Sequence, residues 1–220
     1  MYIYIIQFIL FFLIYVFIDY ILGDKVQGKY YLLHSINNMM IVYSTIPELL
    51  YTYTNFFNYH NYECNYFPTV ISYSLHIYHI VVYLKKMRFD DWLHHIIMMF
   101  AFPLAQATDP GSLLNHAMFY LTGLPGAINY FLLFLCRNDL ISRIFQKRIN
   151  NYLNLLIRCP GCISHVTMSL LTLGFRDFTP IQTYFILLQS LIVYWNGIYF
   201  MNQVIIDYNK QTTTKKLKIN

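Results

Sequence analysis

Long apolar stretches recur along this chain, at approximately 2–22, 31–54, 67–84, 92–108, 112–136, 152–173 and 180–208, and its basic residues crowd into every second connection between them. Most stretches are close to the ~20 residues that a helix needs to cross hydrocarbon. Lys25 and Lys29 follow the first, Lys85, Lys86 and Arg88 the third, and Arg137, Arg143, Lys147 and Arg148 the fifth; Lys210, Lys215, Lys216 and Lys218 follow the last. Those are thirteen of the 15 basic residues; Arg176 lies alone in an even-numbered connection and Arg158 falls inside a stretch. Cytoplasmic loops of membrane proteins carry the Lys/Arg excess. The alternation therefore predicts seven spans, with the N-terminus outside the cytosol and the C-terminus in it. Removing one span would destroy the pattern.

Composition agrees. The chain is 57% hydrophobic and 11% charged, against roughly 25% charged in ordinary soluble domains. So much apolar surface in 220 residues needs lipid to cover part of it. The net charge of +5 is explained by the loop lysines and arginines, so nucleic acid is not an expected partner; membrane lipids are. The expected fold class is all-α membrane. Residues 1–28 form an N-terminal transmembrane anchor, 29–208 one membrane domain, and 209–220 a basic cytosolic tail. The first stretch lacks the basic n-region and small-residue cleavage site of a signal peptide. Asn37, Asn38, Pro47 and Glu48 interrupt 31–54, and 92–108 is short. Four cysteines, at 64, 136, 159 and 162, do not make a disulfide framework.

Ionisable side chains at membrane depth are costly and mark function by default. At 1.5 Å per residue, His79 and His76 lie about 9 and 13 Å from the cytosolic end of their span. His94 and His95 lie roughly 5 Å in, Asn129 about 10 Å and Arg158 about 9 Å. Four spans thus bring polar groups to one layer. Asp91, His94 and His95 stand at i, i+3 and i+4, on one helical face. Asp91 can hold one imidazole N–H and fix its tautomer, leaving the other nitrogen as general base or nucleophile. His76, His79, Asn129 and Arg158 are the expected substrate-binding residues, with Arg158 suited to an anionic head group.

Blander uses compete. Intramembrane His and Asn also bond neighbouring helices, the expected role for His34, His76, His116 or His165 taken singly. His76, His79, His94 and His95 have enough nitrogens for a metal, but histidine boxes of the di-iron type are missing, and no metal or cofactor is expected. Cys159-Pro160-Gly161-Cys162 is read as a kink rather than a redox motif, and Gly123-Leu124-Pro125-Gly126 likewise. Two broken helices at similar depth suggest a cavity. Asn154, Arg158, Cys162 and His165 form a polar stripe that suits its wall. Glu48 is expected at the outer interface, exposed.

At Phe89-Asp90-Asp91-Trp92-Leu93-His94-His95 the sequence resembles the TLC-domain family, whose members carry a His-His pair at the start of a span after a basic cytosolic loop. Thr122-Gly123-Leu124-Pro125-Gly126-Ala127-Ile128-Asn129-Tyr130 also looks like TLC-domain proteins outside the ceramide synthases, and the composition is similar to that of TLC-domain proteins of large DNA viruses. The resemblance covers roughly 29–208. It implies six helices around a lipid-sized tunnel plus an N-terminal helix, and acyl transfer from acyl-CoA through His94 or His95. The acidic segment of ceramide synthases is missing: no Asp or Glu lies between Asp109 and Asp139. A related acyltransferase and a non-enzymatic lipid-binding, lipid-trafficking or membrane-composition protein both remain open. Lys216-Leu217-Lys218-Ile219-Asn220 resembles a dilysine retrieval signal, which implies the endoplasmic reticulum (a host membrane for a viral protein); a plain basic cluster drawn to anionic lipid is the alternative.

Overall fold

The computed structural model describes residues 2–23, 26–87, 92, 95–100, 103, 107–108 and 110–217. Among these the fold is helical, without strands. Helices α1 (Tyr2–Leu22), α2 (Lys29–Thr54) and α3 (Phe67–Tyr83) are followed by a helical stretch at 95–100. Then come α4 (Leu113–Arg137), α5 (Arg143–Thr172) and α6 (Pro180–Leu217). Four of them, α1, α4, α5 and α6, are long and apolar enough to cross a membrane. α3 is short, at 17 residues, and α2 carries many polar residues.

Paired side chains show how the helices run. Tyr15 on α1 meets Asn37 on α2, and Asp19 meets Lys29, so these two are antiparallel. α2 and α4 meet through Ser35 with Ala127 near one end and Glu48 with Asn115 near the other. α4 and α5 meet through Asn129 with Gln146, and α5 and α6 through Lys147 with Asp207 and Arg158 with Asn196. This up-and-down order gathers Lys29, Arg137, Arg143, Lys147 and Lys210 at one end of the bundle. Arg176 lies at the other, donating to the Tyr59 hydroxyl at 3.2 Å.

α2 runs unbroken through Pro47, although the sequence marks it as interrupted. Its polar residues point inward instead of breaking it. Seven of its nine buried residues are polar, while Ile36, Met39, Tyr43, Ile46 and Leu50 face outward. Glu48 corrects the expectation of an exposed interfacial side chain: it is 1% exposed. Its Oε1 accepts from the Asn65 backbone N–H at 2.9 Å and its Oε2 from Asn115 Nδ2 at 2.7 Å. Those two bonds tie α2 to α4 and to the segment leading into α3, and they satisfy a carboxylate that would otherwise be very costly to bury.

The two Pro-Gly segments are spanned by π turns, at Phe119–Gly123 in α4 and Asn154–Arg158 in α5. In each, the proline stands two residues beyond the turn, and the N–H just before the proline bonds five residues back, Leu124 to Phe119 and Cys159 to Asn154. Proline has no N–H and clashes with the preceding turn; widening that turn keeps the helix continuous. Gly161 lets the Tyr120 ring press against α5, in space that any Cβ would fill. α6 continues as helix past Tyr208, so the first part of the expected tail extends the last helix.

Candidate functional site

Between α2, α4, α5 and α6 lies a cavity of about 120 Å3, measured as room for the centres of water-sized molecules, closed on its remaining side by Leu75 and His76 of α3 and by Ile97 and Met98. Both π turns contribute to its wall, through Leu121 and Thr122 on α4 and Asn154 and Arg158 on α5. The wider turn displaces these side chains from the ordinary 3.6-residue register, a device common at functional sites.

The wall is graded. His34 and Asn38 of α2 enter it near the Lys29 end of their helix, Asn129 of α4 near the Arg137 end, and Asn150, Asn154 and Arg158 of α5 near the Arg143 end. Because those helix ends lie together, the polar residues converge. Leu114, Ala117 and Met118 of α4, with Ile192 and Val193 of α6 and one polar side chain, Gln189, are among those that line the remainder. The cavity thus has a polar end facing the basic end of the bundle and a largely apolar end deeper in it.

Arg158 lies at the polar end. Its Nη2 donates to Asn196 Oδ1 at 3.0 Å, and its guanidinium carbon sits 4.8 Å from the centre of the Phe200 ring. Its Nε is buried with no hydrogen-bond partner among the described residues. Asn129 accepts from Gln146 Nε2 at 2.8 Å and holds the start of α5 against α4.

The histidines form a layer beside the cavity. His34 and His76 belong to its wall, and His79 and His95 are packed behind them. His79 Nδ1 and His95 Nε2 share one hydrogen bond at 2.8 Å. The His95 ring also meets the edge of His76, with centroids 4.9 Å apart, and His79 stacks on Tyr30 at 4.9 Å. His34 packs edge-on to His79 at 5.4 Å. All four are buried. The structure therefore brings His76, His79 and His95 together and adds His34, which the sequence suggests only as a helix-bonding histidine. Asp91 and His94 lie outside the described residues. Asn129 and Arg158 belong to the same cavity as His76, whereas His79 and His95 are not part of its lining. Among the described residues, no three His, Cys, Asp or Glu side chains are arranged to hold a metal ion.

The expected polar stripe on α5 divides. Asn154 and Arg158 enter the cavity. Cys162 packs where α6 is notched by Gly197, and His165 faces a separate, smaller cavity nearer the Arg176 end. There His165 stacks on His116 at 5.7 Å, and His116 Nε2 lies 3.0 Å from the Tyr53 hydroxyl. Asn150 and Asn196 escape the sequence reading. The i, i+4, i+8 series Asn150, Asn154, Arg158 is a signal that finds Asn150 once α5 is taken to start at Arg143; Asn196 carries no local signal. Compared with known proteins, the chain matches no family model, no curated protein and no solved structure.

Proposed function

We propose that this chain is a seven-span membrane protein of TLC-like architecture, with its N-terminus outside the cytosol, that holds a membrane lipid in the cavity between α2, α4, α5 and α6. The observation that carries the reading is the graded cavity inside a bundle with an apolar exterior. One polar end and one apolar end match an amphiphile, and the outward Ile36, Met39, Tyr43 and Leu50 suit contact with lipid tails. The proposed orientation rests on the gathering of basic residues at one end. A glycosylation sequon inserted at Asn61 should be modified in microsomes and one at Phe145 should not; modification at Phe145 alone would reverse the orientation.

Lipid occupancy is tested by mass spectrometry of the protein purified in mild detergent. Leu121 lines the cavity, so Leu121→Trp should displace the lipid that the unmodified chain retains. Equal lipid content in the two, or none in either, counts against the reading.

Acyl transfer is a second reading, favoured by one feature: the wall histidines His34 and His76 contact a buried imidazole pair, His79 and His95. A histidine at the wall would take the proton of an attacking amine or hydroxyl while the thioester of acyl-CoA expels its thiolate. Labelled acyl-CoA is the probe. A loss of about 10²-fold or more in transfer on His34→Ala or His76→Ala supports this chemistry; no transfer to protein, water or amine leaves the binding role alone.

A further inference from the structure

The wall of the large cavity contains a single residue of fixed charge. Among the described residues that line it, Arg158 is the only Lys, Arg, Asp or Glu, and no carboxylate pairs with it. The neighbours it does have are neutral: the Asn196 carbonyl oxygen and the face of Phe200. Arg158 is part-buried, and neither neighbour supplies the counter-charge that a guanidinium taken partly out of water requires.

Other unsatisfied groups lie in the same wall. Asn38 is 2% exposed and its Nδ2 has no partner among the described residues, its Oδ1 being held by Thr122. Asn154 is 4% exposed; its Nδ2 donates to Asn150, and its Oδ1 has no partner among the described residues. Arg158, Asn38 and Asn154 all line the polar end, and each keeps a buried polar atom without a partner among the described residues. Buried polar groups are rarely left so, and a ligand that offsets the guanidinium must bring negative charge.

We propose that the polar end of this cavity binds an oxyanion, phosphate or carboxylate, carried on a hydrocarbon chain, with Arg158 as its counter-charge. The proposal rests on the cavity being a lipid site and names the class of lipid. The guanidinium fork matches the geometry of phosphate and carboxylate oxygens. The chain then extends along Leu114, Met118, Ile192 and Val193, away from the basic end of the bundle. A choline or ethanolamine cation finds no carboxylate among the described residues of this wall, so zwitterionic lipids are disfavoured.

The test is native mass spectrometry of the full chain in neutral detergent, titrated separately with phosphatidic acid, a long-chain fatty acid, phosphatidylcholine and inorganic phosphate. At least one anionic amphiphile should bind roughly tenfold or more tighter than phosphatidylcholine, as loss of a charged hydrogen bond would cost. Which of the two binds identifies the oxyanion. Arg158→Gln should bring the ratio to parity, and Arg158→Lys, which keeps the charge, should preserve most of it. Leu121→Trp should reduce binding of both lipids without changing their ratio. Parity in the unmodified chain, a ratio unchanged by Arg158→Gln, or inorganic phosphate binding as tightly as phosphatidic acid overturns the proposal. Parity with tight binding that Leu121→Trp abolishes leaves the lipid site standing and removes only its charge selectivity. Absence of binding by every amphiphile removes both.

Discussion

Helices α1 and α2 lie side by side and are built on opposite plans. α1 is apolar around its whole circumference and has one buried residue, Tyr15. α2 turns an apolar face outward and a polar face inward, with Ser35, Asn37, Asn38, Thr45, Glu48 and Thr52 among its buried residues. In water such a helix would be inside out. In lipid the apolar exterior costs nothing, and the interior is where polar groups can find partners. The difference shows that hydropathy ranks helices by their contact with lipid. It leaves out of the membrane-length apolar helices the one that organises the interior: α2 contributes His34 and Asn38 to the cavity and Glu48 to the joint with α3 and α4.

The strongest way to break this comparison is to remove the carboxylate at the centre of the polar face. Glu48→Ala leaves the buried Asn115 Nδ2 without one of its two acceptors and the Asn65 N–H without its own. It should destabilise the protein by roughly 2–4 kcal/mol, read as earlier unfolding in a denaturing-detergent titration. Glu48→Gln, which keeps an acceptor, should cost less. A change below about 0.5 kcal/mol for Glu48→Ala would mean that the inner face of α2 does not hold the bundle together.

A smaller effect is expected where the two helices meet. Tyr15 donates to Asn37 Oδ1 at 2.7 Å, the one buried polar contact that α1 makes with α2 through a residue of its core. Tyr15→Phe keeps the ring packed against Tyr78 and Leu33 and removes only the hydroxyl. Interhelical hydrogen bonds in membranes are worth about 0.6 kcal/mol on average, and the same titration should show a loss of that order. A loss several times larger would place α1 within the organising core.

The smallest effect is expected on the outer faces. Phe17 on α1 and Met39 on α2 are 62% and 60% exposed. Phe17→Ala and Met39→Ala should each change stability by less than about 0.5 kcal/mol, since lipid tails replace the lost contacts. Equality of the two would sharpen the comparison, because it separates helices that differ inside but not outside.

Parts of this molecule were legible in residue order alone. Helicity, apolar helices long enough for a membrane at 2–22, 112–136, 152–173 and 180–208, and the gathering of basic residues at one end follow from hydropathy and charge placement, which are local properties. Helical rise, which converts sequence distance into height, also puts Arg158, Asn129 and His76 at similar expected depths, and the three line one cavity. Rotation about each helix axis was not legible. It is set by what the neighbouring helices present, and a shift of one residue turns a side chain by about 100°. Only the tertiary structure therefore placed His34 beside His79, buried Glu48 between Asn65 and Asn115, sent His165 to a different cavity from Arg158, and brought Asn196 from α6 to the guanidinium. The π turns belong to the same class. Proline announces a disturbed helix, but whether the chain kinks or widens depends on the packing around it, here the Tyr120 ring seated against Gly161.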